Sequence, residues 1–296
     1  MNYFSRAACL VGLTAICLHS QWAMADVDSA TAAMEDPANP LVLFDTARGD
    51  IFIELLADEA PENVANVLAL IRGEIEIEDP DNGFTFTPNY YDGMRFHRVV
   101  PGFVIQAGAP VNHPLGDPGS LLANEINADS LGLQRQAVML ESGDLNPILD
   151  INSRQEFSQQ VLAPLYESLG ISDEAALRRQ QSQVFERLQT LSIKALYELQ
   201  GYRYRSNLRS RPITRGIVAL ANQGPASNGP EFFIALEDSP TLNGKYTVIG
   251  RVVEGLDVVD GIGSTAIGPE RYSRLSTVIY SARQVNGSTG PALAQQ

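Results

Sequence analysis

Residues 96–106 read FHRVVPGFVIQ, two short apolar runs hinged on a Pro-Gly pair. β-Branched and aromatic residues bounded by turn formers predict a strand, a turn at Pro101-Gly102 and a returning strand. Neighbouring side chains in a strand point to opposite faces, so His97 and Arg98 are expected on opposite sides of it. Runs of the same character return downstream as GIVALAN (216–222), EFFIAL (231–236) and YTVIGRVV (246–253). Upstream, Val42 and Phe44, then Ile51, Ile53 and Leu55, alternate about Ala47-Arg48-Gly49-Asp50, which reads as a hairpin turning at the glycine. Pro61 stands where a first helical turn tolerates it. Val64, Val67, Leu68 and Ile71 follow at helical spacing, and Gly73 closes the element. A short helix is expected at 256–262 and a last strand at 277–285.

Between these β segments, residues 135–212 change character. Ser153 with Glu156 forms a capping box ahead of Phe157, Val161, Leu165 and Leu169 on one face. Pro164 is expected to kink or interrupt that helix. Ser172 is read as the cap of a second helix with Leu177, Val184, Leu188 and Leu191 on its apolar face, and Ser192 as the start of a third. From Ala137 to Pro212 acidic and basic residues are equal in number, so the acidity of the chain lies outside this stretch. Helices flanked on both sides by strands predict an insertion within one β domain. Residues 74–89 read as a solvated acidic loop, 26–40 as a flexible tether and 286–296 as a disordered tail.

The first 25 residues read as a secretory signal peptide. Arg6 precedes an apolar run at 7–18, and Ala23-Met24-Ala25 is a small-x-small cleavage pattern. The run is far shorter than the ~20 residues that span a bilayer, so no integral membrane span is expected. Both cysteines, Cys9 and Cys17, and the one tryptophan, Trp22, fall in this segment. Cleavage near Ala25 therefore leaves a chain without a thiol, and with His97 and His113 as its only imidazoles. That inventory excludes cysteine nucleophiles and cysteine metal sites, and argues for no metal and no cofactor. A net charge of −14, one unit more negative once Arg6 leaves, disfavours nucleic acid as a partner. Gly261-x-Gly263 lacks a dinucleotide-binding context. The stretch 222–229 lacks the Lys-Ser/Thr of a phosphate loop.

Two stretches carry a resemblance. The first is the opening FHRVVPGFVIQ. The second is Leu220-Ala221-Asn222-Gln223-Gly224-Pro225, then Asn228-Gly229-Pro230-Glu231-Phe232-Phe233-Ile234 and Leu242-Asn243-Gly244-Lys245-Tyr246. With Tyr90-Tyr91-Asp92-Gly93 and Gly250-Arg251-Val252-Val253-Glu254-Gly255 in matching order, 41–134 and 213–285 resemble the cyclophilin-type peptidyl-prolyl cis-trans isomerases. The resemblance implies a mainly β fold: a closed eight-stranded antiparallel barrel capped by two helices, here with an inserted α-helical segment at 135–212. It implies that Arg98 is the catalytic arginine and that Phe103, Val104, Phe233 and Leu242 line a proline pocket. Gln106 and the backbone of Ala221 and Asn222 would hold the peptide, and Tyr246 takes the position where many relatives have His. His97 is expected to be structural. Glu231 replaces a usual Gln, Ala107 and Ala109 replace a usual Gly and Asp, and Thr241 replaces a usual aromatic, which implies weak cyclosporin-type binding.

The expected function is isomerisation of X-Pro bonds in exported proteins, in the periplasm or after secretion, with proline-containing polypeptides as clients. A non-catalytic peptide-binding chaperone or assembly module on the same scaffold is the alternative. The insertion is read either as a structural appendage or as a partner-binding module. Its cluster Arg203, Arg205, Arg209, Arg211 and Arg215 would then either dock an acidic partner or pair with nearby carboxylates.

Overall fold

A computed structural model describes residues 26–79, 83–114, 117–119, 121–268 and 276–285, so the expected signal peptide and C-terminal tail lie outside the described residues. After α1 (Val27–Ala32), the chain forms the expected hairpin of β1 (Leu41–Thr46) and β2 (Gly49–Leu55). The helix α2 (Pro61–Arg72) starts on its proline and stops at Gly73, whose φ of 67° is left-handed. Its first turn lacks a local side-chain cap. Glu125, distant in sequence, supplies one: its carboxylate accepts from the Asn63 amide at 2.8 Å and the Glu62 amide at 3.3 Å. Two-residue strands β3 (Ile77–Glu78) and β4 (Thr85–Phe86) pair within the stretch expected to be a loop, and Ile77 is buried. The second hairpin, β5 (Arg98–Val100) and β6 (Val104–Ala107), turns through Gly102 at φ 70°.

In the inserted block, α3 (Arg154–Phe157) opens on the capping box of Ser153 and Glu156. A single wide turn, a π-helix at Ser158–Leu162, leads into α4 (Ala163–Ser168), so the interruption expected from Pro164 falls just before it. Proline has no amide to give to the Gln160 carbonyl, which instead accepts from the Gln200 side chain at 2.7 Å. The long α5 (Glu174–Thr190) is capped by Asp173 rather than Ser172, and α6 (Ile193–Leu199) by Ser192. The β signature then returns with β7 (Ile217–Leu220), β8 (Phe232–Ala235), β9 (Val248–Glu254), α7 (Leu256–Gly263) and β10 (Ile279–Gln284).

Eight strands form one antiparallel sheet in the order β10-β1-β2-β9-β7-β8-β6-β5. It curls around a core that takes in Val42, Phe44, Ile51 and Ile53 of the first hairpin. Val64, Val67 and Ile71 of α2, Val259 and Ile262 of α7, and Tyr90 and Tyr91 complete it. The expectation of a closed barrel is corrected: β5 and β10, the two edges, share no ladder. The backbone of Val99 exchanges hydrogen bonds with Ile267 at 2.8 and 3.0 Å, which occupies the outer edge of β5. The gap is crossed instead ahead of β5, where Arg95 bridges Val278 and the backbone of Gly93, Met94 and Phe96 bonds to that of Ile279 and Thr277.

The tether expected at 26–40 is also corrected. Leu41, Leu43 and Phe52 point away from the main core, and Ala30 and Met34 pack over them. Burying that second apolar face is the driving force for folding the segment down. Glu54 anchors it. Its buried carboxylate accepts from the Glu35 amide at 2.9 Å, the Asp36 amide at 3.0 Å and the Asn39 side chain at 2.8 Å, and pairs with Arg251 at 2.9 Å.

The insertion leaves and rejoins the β domain side by side. The Arg205 amide donates to the Ile126 carbonyl, and Asn127 binds Leu208 and Ser210. It has its own small core of Val138, Leu149, Val161, Leu191, Leu196 and Tyr197, to which Ala128 and Leu133 contribute from before residue 135. Three arginines of the basic cluster pair with carboxylates: Arg205 with Glu62 at 2.8 Å, Arg211 with Glu59 and Glu35, and Arg215 with Asp260.

Candidate functional site

Strand alternation builds the site. Arg98 on β5 lies opposite Gln106 on β6, Gln106 opposite Phe233 on β8, and Phe233 opposite Ala219 on β7. These four therefore form a row on one face of the sheet. Their neighbours Val99, Ile105, Ile234 and Val218 form the next row, and all four belong to the main core on the other face. Val104, two residues from Gln106, shares the outer face. A second apolar cluster gathers there, including Val104, Ala219, Phe233 and Val248, with Phe103, Ala221, Leu242 and Tyr246 partly buried against it.

All nine residues expected at the site line one cavity of about 130 Å³: Arg98, Phe103, Val104, Gln106, Ala221, Asn222, Phe233, Leu242 and Tyr246. The Phe233 and Tyr246 rings, both lining the cavity, meet edge to face with centroids 5.4 Å apart. Leu242, which also lines the cavity, ends a short turn, Pro240–Leu242. Thr241, in that same turn, is not among the lining residues. Burial pushes the Tyr246 phenol up against an opposing influence of the Arg98 charge, so it is uncharged at neutral pH. The result is an apolar cup with one cation at its edge.

The polar edge is wired. Arg98 Nη1 donates to Gln106 Oε1 at 2.9 Å, and Gln106 Nε2 donates to the Glu231 carboxylate. The same carboxylate oxygen lies 3.0 Å from His97 Nε2. His97 does not line the cavity, as the strand alternation predicts, yet it reaches the site's hydrogen-bond chain through Glu231. Sequence reasoning singled out Glu231 as a change of charge; that it bridges His97 and Gln106 depends on strand pairing that no local motif announces. The Asn222 side chain is committed to the fold, donating to Asn228 Oδ1 and the Lys245 carbonyl. Any contact from Asn222 to a peptide thus falls to its backbone. Behind these loops, buried Asn228 donates to Asn63 at 3.0 Å and to Thr247 at 2.9 Å, which ties the start of α2 to the walls of the cavity.

Among the described residues no helix is long and apolar enough to cross a membrane. Residues 41–283 match the family model described as cyclophilin type peptidyl-prolyl cis-trans isomerase/CLD. The chain is 28% identical over 239 residues to peptidyl-prolyl cis-trans isomerase B of Streptomyces anulatus, covering 80% of this chain and 91% of that one. It is 26% identical over 245 residues to peptidyl-prolyl cis-trans isomerase A of Mycobacterium tuberculosis, covering 82% and 90%. A solved cyclophilin type peptidyl-prolyl cis-trans isomerase of Cryptosporidium parvum, crystallised in the presence of the dipeptide Ala-Pro, aligns with a TM-score of 0.46 at 16% identity. That alignment covers 83% of this chain and 99% of the other.

Proposed function

The chain belongs to the cyclophilin-type peptidyl-prolyl cis-trans isomerases, and from that premise we propose that Arg98 drives the isomerisation while the cup beside it holds the proline ring. The observation that carries this reading is the single cavity in which Arg98 meets Phe103, Val104, Phe233, Leu242 and Tyr246. Rotation about a peptide bond faces a barrier of ~18–20 kcal/mol because resonance is lost at the twisted geometry. As the bond twists, the prolyl nitrogen becomes pyramidal and regains a lone pair that accepts a hydrogen bond. The guanidinium has five donors in a fixed fork and one is given to Gln106, which orients the fork at the cavity that Arg98 lines. No bond forms or breaks. The pocket grips the ring, Gln106 and the backbone at Ala221 and Asn222 hold the peptide, and the remaining end turns.

A charge-assisted hydrogen bond is worth ~1.5–3 kcal/mol, so Arg98→Ala is expected to slow isomerisation roughly 10- to 100-fold with the fold intact. Exchange NMR on an Ala-Pro peptide measures this directly. Equal rates for wild type and variant would sink the catalytic reading and leave a peptide-binding scaffold.

Export is part of the proposal. The n-region, apolar run and Ala23-Met24-Ala25 pattern support cleavage near Ala25 and a role in folding exported proteins in the periplasm or outside the cell. N-terminal sequencing of the protein recovered from that compartment tests it, with a start at Asp26 expected. Thr241 in place of an aromatic supports weak binding of cyclosporin.

A further inference from the structure

The insertion packs against the loop that carries two of the cavity's residues. Leu242 and Tyr246 line the cavity, and between them Gly244 lies against the insertion. Its φ is +83°, and a Cβ there would stand 2.4 Å from Leu133 Cδ1 and 3.3 Å from the Tyr197 ring. The Tyr204 hydroxyl donates to the Gly244 carbonyl at 3.0 Å. Lys245 places its ammonium 5.0 Å over the Tyr197 ring, which is itself buried in the insertion's core. From the barrel side, the side chains of Asn124 and Asn222 hold the Lys245 carbonyl at 3.3 and 3.0 Å. The wall of the cavity is therefore gripped from behind by residues that belong to the inserted helices and their neck.

We propose that the insertion is a clamp on this wall: Leu133, Tyr197 and Tyr204 are positioning residues that hold Leu242 and Tyr246 in place for the proline ring, and so set affinity for proline-containing polypeptides. The inference rests on the reading of the cavity as the proline site. A glycine-centred loop without such support samples many conformations, and binding would have to order it; a loop ordered in advance spares that cost. Arg98 and Gln106 stand on β5 and β6, away from the clamp. Loosening the wall weakens ground state and twisted state alike, which raises KM and leaves kcat.

The test uses the full chain and an Ala-Pro peptide, with peptide Kd from NMR titration and the bound-state exchange rate at saturation. Tyr204→Phe removes one hydroxyl and is expected to raise Kd about 3- to 10-fold, with the bound exchange rate unchanged. Leu133→Ala acts in the same direction by opening space behind Gly244. Arg178→Ala breaks an exposed ion pair with Glu174 on α5, remote from the loop, and leaves Kd unchanged. Wild-type Kd in both Tyr204→Phe and Leu133→Ala overturns the clamp, and so does an equal rise in Arg178→Ala, which would mark general loosening. Arg98→Ala separates the two readings: if it binds peptide yet turns it at the wild-type rate, the catalytic reading fails on its own. If it is slow while Tyr204→Phe and Leu133→Ala both bind as wild type, only the clamp fails.

Discussion

An amide side chain has two chemically different ends, and at Gln106 both are assigned. Its oxygen accepts from Arg98, and its nitrogen donates to Glu231. A carboxylate only accepts, so Glu231 holds the amide in the orientation that presents oxygen to the guanidinium. A glutamine at 231 can turn over together with Gln106 and offer either end. His97 supports the same arrangement: its Nδ1 is buried without a hydrogen-bond partner among the described residues, so the neutral tautomer that donates from Nε2 to Glu231 is the one that leaves no orphaned donor. Glu231→Gln is expected to lower kcat/KM a few-fold, and Glu231→Ala further, to about 10-fold, by freeing Gln106 and unpairing His97. Exchange NMR on the two variants checks the order; Glu231→Ala at or above wild type sinks the argument. At this scale Arg98, Phe103 and Phe233 were legible because they sit in local runs of recognisable chemistry. The His97–Glu231 contact was not, since it spans 134 positions of sequence and exists only once β6 and β8 pair.

Among elements, the ones read most accurately carry their own punctuation. The first hairpin turns at Ala47-Arg48, one step before the glycine that opens β2, α2 runs from Pro61 to a left-handed Gly73, and the capping box opens α3. One misread element is α1. Its segment is small, acidic and without apolar period, and what folds it lies elsewhere, on the outward side of Leu41, Leu43 and Phe52 and at Glu54. Burial raises the Glu54 carboxyl, but the Asn39, Glu35 and Asp36 donors and the charge of Arg251 outweigh it and hold the group below its ordinary range. Glu54→Gln keeps the shape but replaces an acceptor with a donor against amide hydrogens. It is expected to cost about 1–3 kcal/mol in urea unfolding and to speed proteolytic cleavage within 26–40. Unchanged stability together with unchanged cleavage would show that the apolar contacts hold α1 alone.

Across the whole molecule, carboxylates join the parts. Glu35, Glu54 and Glu62 are all held below the ordinary carboxyl value of 4.5. Arg211 is the main cause at Glu35 and Arg205 at Glu62, whereas at Glu54 the donors that face it overcome burial. The folded state therefore binds fewer protons than the unfolded one in this range, and their contribution is present above pH 4.5 and lost as pH falls through the lowered folded values. His113 adds an earlier step of the same sign. Its folded value is lowered, chiefly by burial, so stability begins to fall once the unfolded imidazole takes its proton near 6.5. Thermal melts from pH 8 to 3 are expected to show a small decline through the histidine range and a steeper one below 4.5. A flat profile contradicts the ion-pair account of how the insertion and α1 are held. The open edge between β5 and β10 belongs to this scale as well. Eight strands were countable in the sequence, but whether the two edge strands meet depends on what else binds the backbone of β5, and Ile267 does.

The alternation of rows has one more consequence. Arg98, Gln106 and Phe233 face the cavity only because Val99, Ile105 and Ile234 face the core. A one-residue slip in any of these pairings would send the cation inward and the core residues out. On the proposed reading of the cavity, capture of a proline peptide is thus a proofreading signal for the sheet: a chain retained on an Ala-Pro column has β5, β6 and β8 in register, and a misaligned chain passes through.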